Sequence, residues 1–372
     1  MESALKDEIG ALHLLRTIAT TMIVALHVSA AYMVYSPPSS NAFRLGLILN
    51  QWSRISLPLF VFASGFGLFY GYGKAVTFNI GSFLKRRVSK VWVPYLVWSF
   101  IYLALDDLQG RSTGFLGLPL KQKAAEYLKW TFWGNVYTPL WFVLMISQFY
   151  LLFPLIRKKL ALLQSPIRVL VIHFFIFLVL ILYLTRYVHY TGFCPLDVLQ
   201  KYYAETPLGW YYYFILGGVV ALNWNRIKNI PLHAFGTVFF YLTTTVLVIA
   251  EAYYGFLSHG QYYLLRYGPI RPTVLINSMA SLPCIYVLAD RILKTRPVYG
   301  LCRSVSRYSY GVYFVHPHML NVLKFILDRS GLQYTRAIHL FALLGATTIL
   351  SLLFCTIIDR TPLRSIFLGV KS

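Results

Sequence analysis

Apolar residues fall along this chain in runs of roughly twenty, broken by short polar stretches in which Lys and Arg outnumber Asp and Glu. A helix needs about twenty residues to cross a hydrocarbon layer ~30 Å thick at ~1.5 Å per residue. The runs predict ten membrane helices, over residues 11–35, 44–71, 87–105, 138–156, 168–186, 208–223, 232–254, 270–290, 308–328 and 337–358. An even number of crossings puts both termini on one side. The longest polar stretch is 106–137, and within it KQKAAEYLKWTFW, residues 121–133, predicts an amphipathic helix lying at the membrane surface. The fold class is therefore all-α, a polytopic membrane helix bundle, and no linker, repeat or charge block divides residues 1–372 into more than one domain.

Composition agrees with the pattern. The chain is 58% hydrophobic and only 12% charged, about half the charge fraction of a soluble domain. Its net charge of +22 would suggest nucleic acid in a soluble protein, so the location of the cations decides. About twenty of the 34 Lys and Arg lie on the N-terminal side of the predicted bundle, about eleven on the other, and Arg16, Arg54 and Lys324 within spans. The positive-inside rule places both termini in the cytoplasm. Nucleic-acid binding is disfavoured, because the cations are spread over many short loops. Cys194, Cys284, Cys302 and Cys355 lack the spacing of a disulfide framework or a metal site. Glu2, Asp7 and Glu8 replace the basic start of a signal peptide, so the first apolar run is expected to be a retained helix.

Candidate chemistry begins in the first helix, RTIATTMIVALH. Arg16 and His27 are eleven residues apart, close to three turns, which leaves them within about 20° of one face and about 16 Å apart along the axis. Charged groups in membrane helices face a bundle interior or a wet cavity, since lipid exposure near the centre costs at least ~2.5 kcal/mol. Arg16 alone is equally served by snorkelling to the headgroups, and His27 alone by a bond to a carbonyl. Their shared face raises the functional reading to equal weight with the structural one. All twelve acidic residues lie in loops or near span ends, Glu251 and Asp328 at outer ends and Asp290 at an inner one, which disfavours a carrier with a carboxylate proton relay.

Three more stretches carry polar groups. SRISLPLFVFASGFGLFY holds Arg54, a Pro58 expected to bend the second helix, and Ser64 and Gly65, which allow close helix approach. LKRRVSKVWVPYLVWS sets Arg86, Arg87 and Lys90 at the inner mouth of the third helix, where they serve topology or bind phosphate. RYSYGVYFVHPHML offers Ser309, Tyr310, His316 and His318 in the ninth. The aromatic segment from Lys201 to Tyr213 suits a membrane interface or a sugar. No nucleophile elbow, Walker loop, HExxH or dinucleotide fingerprint is present.

Taken together and in order, these stretches resemble the acyltransferase 3 family of integral membrane acyltransferases. Arg16 and His27 match its Arg-x10-His pair. Arg54 with LPLFVFASGF is similar to its second-helix motif, KRRVSKVWVPYLVW to the opening of its third, PLWFVLMISQFYLLFPLI with Trp141 to its fourth, and SRYSYGVYFVHP to its late Ser-Tyr-x-x-Tyr-x-x-His. The second helix is most similar to the type that O-acetylates enterobacterial common antigen. The chain departs from the pattern in two places: Thr138 and Pro139 stand where relatives often carry a His before Leu-Trp, and Asp359 stands where Glu is frequent. The resemblance implies transfer of an acyl group, usually acetyl, from cytoplasmic acyl-coenzyme A to a hydroxyl of a cell-surface polysaccharide or lipid-linked glycan, in a bacterial inner membrane. On that reading His27 is general base or transient acyl carrier, Arg16 holds the thioester oxygen or a phosphate, and Arg86, Arg87 and Lys90 hold coenzyme phosphates. Arg54, Ser64, Trp141, Tyr310 and His316 would shape the site, and no metal is implied. The competing class is a membrane carrier or exporter of a glycan or small solute.

Overall fold

A computed structural model describes residues 2–109, 114–162, 165–184, 202–259, 268–330 and 336–370, with side chains from residue 10. Every regular element among them is helical. Cys194, Lys201 and Lys371 lie outside the described residues. The first predicted span is part of α1 (Glu2–Tyr35). The second is broken into α2 (Asn41–Trp52) and α3 (Ser56–Tyr72) by a 3-10 turn at Ser53–Ile55. Pro58 therefore does not bend a continuous helix. It sits in the first turn of α3, where proline is tolerated.

The next segment starts at α4 (Ile80–Arg87), capped by Asn79 Oδ1, which accepts from the Ser82 N–H at 2.8 Å. A π turn, Val88–Trp92, joins it to α5 (Val93–Leu108), with Pro94 near the helix start. The expected surface helix is α6 (Leu120–Trp133), tied to the bundle where Tyr127 Oη donates to the Leu96 carbonyl and the Thr131 carbonyl accepts from Tyr95 Oη. There follow α7 (Trp141–Ala161), α8 (Pro166–Leu182), α9 (Tyr211–Leu222), α10 (Ala234–His259), α11 (Pro272–Ile292), α12 (Arg296–Arg329), α13 (Ala337–Asp359) and the short α14 (Arg364–Leu368).

Seven of these segments are long and apolar enough to cross a membrane, and the chain is an all-α integral membrane protein. Three predicted crossings differ from that group. With 17 and 12 residues, α8 and α9 are about 26 and 18 Å long. The predicted ninth span is the second part of α12, which begins twelve residues earlier and carries Arg296, Arg303 and Arg307 on the helix rather than in a loop. Those cations lower its mean hydropathy without interrupting its hydrogen bonds.

At the centre of the bundle, α1 packs on α2, α3, α11, α12 and α13. It runs beside α12 in the same direction: His13 Nδ1 lies 2.9 Å from Ser306 Oγ near one end, and the rings of His27 and His316 lie 5.1 Å apart further along. The closest crossing is α3 on α9. A Cβ on Gly65 would run into the Phe214 carbonyl, and one on Gly217 into the Phe62 carbonyl. Such small-residue contacts let backbones approach where lipid supplies no hydrophobic drive to associate. Large apolar side chains such as Phe175, Phe235, Phe239 and Leu353 are exposed on the outer helices, as lipid contact allows.

Candidate active site

Near the N-terminal end of α1 the helices enclose a cavity of about 490 Å³. Its cations come from three directions: Arg16 from α1, Arg87 and Lys90 from α4 and the π turn, and Arg307 from α12. The hydroxyl-bearing residues Ser64, Ser306, Ser309, Tyr150, Tyr310 and Tyr313 also line it, and among the described residues no Asp or Glu does. The Arg87 guanidinium lies over the rings of Phe83 and Tyr150 at 5.2 and 5.1 Å, with a buried Nε that has no acceptor. Neither Arg16 nor Arg87 forms an ion pair among the described residues. Like charges gathered in a partly buried space repel one another, and an anion placed among them would relieve that repulsion.

The floor of this cavity is supplied from far along the chain. Leu368, Gly369 and Val370 line it, and Trp98 Nε1 holds the segment by donating to the Phe367 carbonyl at 3.0 Å. Gly369 has a φ of +64° and lies so close to the Lys90 carbonyl that any Cβ would collide with it. Arg307 is oriented from outside by Asp359, whose carboxylate accepts from Nη2 at 2.8 Å and from the Tyr308 hydroxyl at 2.9 Å. Tyr310 crosses the wall and donates to the Val91 carbonyl at 2.8 Å.

Further along α1 and α12 lies the second group. His27 is half-buried and His316 fully buried. The link to the cavity is Tyr313, which lines it and whose ring is 6.3 Å from that of His316. Arg54 is 7% exposed, acts electrostatically on His27, and donates from Nη2 to Asn50 Oδ1 at 2.8 Å. Asn50 in turn grips the α1 backbone beside His27: its Nδ2 donates to the Leu26 carbonyl at 3.1 Å and to Ser29 Oγ at 3.2 Å. A chain of buried polar groups continues through Gln51, whose Oε1 accepts from Arg271 Nη2 at 2.6 Å, to Glu251, paired with Arg271 at 3.0 Å.

The fold thus brings Arg16, Ser64, Arg87, Lys90 and Tyr310 to one cavity, and His27, His316 and Arg54 to one cluster beyond it. Two expected site residues stand apart. Arg86 is exposed and lies over Tyr72 at 5.8 Å, because one helical step of ~100° turns it away from the face that carries Arg87. Trp141 lies 6.2 Å from Trp210 and does not line the cavity. Thr138 and Pro139 form a 3-10 turn, Thr138 exposed and Pro139 buried. Asn50, Tyr313 and the Leu368–Val370 segment were missed from sequence. Asn50 carried a signal, since it is polar within an apolar run and one turn from Arg54.

A second cavity, about 280 Å³, lies on another side of the same helices. Its lining, including Leu12, Leu15, Phe62, Phe66, Met279 and Leu282, is almost wholly apolar.

Residues 9–356 match the family model of the acyltransferase domain that defines the acyltransferase 3 family. Searches of curated proteins and of solved structures found no match.

Proposed function

Because the chain belongs to the acyltransferase 3 family of membrane acyltransferases, we propose that it is an O-acyltransferase which moves an acetyl group from cytoplasmic acetyl-coenzyme A to a hydroxyl of a cell-surface polysaccharide or lipid-linked glycan. Its proposed place is a bacterial inner membrane. The observation that carries this reading is the basic cavity: Arg16, Arg87 and Lys90 converge, with no acidic residue among the described residues of the lining, at the end of the bundle that charge asymmetry assigns to the cytoplasm. Guanidinium groups bind phosphate oxygens bidentately and Lys adds a point charge. A coenzyme held there by its phosphates directs its thioester along the shared face of α1, past Ser64 and Tyr313, toward His27.

His27 then serves as general base. It takes the proton of the acceptor hydroxyl as that oxygen attacks the thioester carbon, and returns a proton to the leaving thiolate. Arg54, fixed by Asn50 beside His27, offers a cation to the oxyanion that forms in between. This assignment supports Arg54 as more than a snorkelling residue, since its guanidinium is buried and bonded inside the bundle.

Equilibrium binding of acetyl-coenzyme A to the purified protein in detergent tests the reading. Saturable binding by the wild type, weakened in Arg16→Ala and in Arg87→Ala/Lys90→Ala, is the expected result. A well-folded wild type that binds no acyl-coenzyme A would overturn it.

A further inference from the structure

His316 is the most enclosed titratable group of the site, with 0% of its surface exposed. Its Nδ1 lies 2.9 Å from the Val312 carbonyl one turn back on α12. A carbonyl only accepts, so Nδ1 carries the proton and Nε2 of the neutral ring is a bare lone pair. That Nε2 is buried and has no partner. Buried acceptors left unsatisfied are rare in folded proteins and call for an explanation. The ring beside it is His27, with centroids 5.1 Å apart and planes tilted by 49°. At that separation a modest ring rotation brings a nitrogen of one within hydrogen-bond reach of a nitrogen of the other. The other charged or titratable groups near the pair are Arg54, from the α2–α3 turn, and Tyr313, from α12 itself, whose buried hydroxyl is also without a partner.

We infer that His316 Nε2 accepts a hydrogen bond from His27 during the reaction, which makes His316 the positioning residue for the base. The inference rests on the reading of His27 given above. With one nitrogen of His27 donating to His316, the other must present its lone pair to the acceptor hydroxyl. The hydroxyl oxygen attacks the thioester carbon and its proton passes to that free nitrogen. The positive charge then formed on His27 is shared across the hydrogen bond with His316. When the carbon–sulfur bond breaks, the thiolate takes a proton from His27, and both rings return to the neutral state. A nucleophile's base is commonly oriented by a third group, often a carboxylate. Inside a membrane a carboxylate carries a permanent charge into hydrocarbon, whereas an imidazole is neutral between turnovers and charged only in passing.

The test compares His316→Phe with His316→Gln, whose amide oxygen can accept the same hydrogen bond. Acetyl-coenzyme A is the donor and octyl glucoside, a detergent with sugar hydroxyls, the acceptor; free thiol is the readout, and donor binding reports folding. His316→Phe is expected to lower kcat about a hundredfold or more with KM for acetyl-coenzyme A within threefold, and His316→Gln to recover at least tenfold of that loss. Equal kcat in the two variants, whether near wild type or equally impaired, would overturn the inference and leave His316 as packing. Should His316→Phe fail to bind donor, His316→Leu against His316→Gln makes the same comparison. An inactive His27→Ala beside an active His316→Phe would remove only the role of His316. A fully active His27→Ala would remove the reading of His27 and this inference together.

Discussion

The two cavities of this protein share walls and differ in nearly every property that matters for binding. On α1, Leu15 faces the apolar cavity and Arg16 the basic one; on α3, Phe62 and Phe66 face the first while Ala63, Ser64 and Gly67 face the second. Neighbouring residues on a helix point ~100° apart, so a single step along either helix moves from hydrocarbon to cation. The comparison teaches that the polarity of a membrane site is decided by helix rotation rather than by the composition of the segment. Mean hydropathy over α1 or α3 averages the two faces and sees neither.

If the basic side is the reactive one, the largest effect belongs to His27→Ala. It should lower acyl transfer by about a thousandfold, the scale of a lost general base, with acetyl-coenzyme A affinity changed less than threefold by equilibrium binding. Next comes Arg16→Ala, which removes one or two charge-assisted hydrogen bonds and should weaken donor binding roughly ten- to a hundredfold in the same assay. A smaller change of opposite sign should follow Asp359→Asn. Losing the carboxylate leaves the Arg307 charge uncompensated at the cavity, so donor binding should tighten by about threefold at low salt, with the gain disappearing as salt is raised. The smallest effect is expected across the shared wall: Leu282→Phe, which fills part of the apolar cavity, should leave donor affinity within twofold. Donor binding lost in Leu282→Phe but kept in Arg16→Ala would reverse the roles assigned to the two cavities.

Much of this arrangement was legible in the residues, and the limits are physical. The spacing of Arg16 and His27 placed them on one face because helix geometry is local and regular. The runs of apolar residues located the helices, but the 3-10 turn before α3 and the early start of α12 depend on contacts that a hydropathy profile does not contain. Arg86, Arg87 and Lys90 read as one cluster in sequence; only the orientation of α4 against Tyr72 and Tyr150 separates the first from the other two. The pairing of His27 with His316 joins residues 289 positions apart, and that of Arg307 with Asp359 spans 52. Such long-range contacts are products of packing, and no local propensity encodes them.

Arg16 and the Leu368–Val370 segment meet at the same cavity although almost the whole chain separates them. During biosynthesis α1 enters the membrane long before residue 368 has been made, and N-terminal parts of a chain fold first. For that interval Arg16 and Arg87 lack the floor that later encloses them, and the basic cavity is incomplete. Termination between Asp359 and Gly369 would therefore leave a bundle with both histidines in place and its basic cavity without a floor. The basic cavity closes only once residues 368–370 have joined helices that were made long before them.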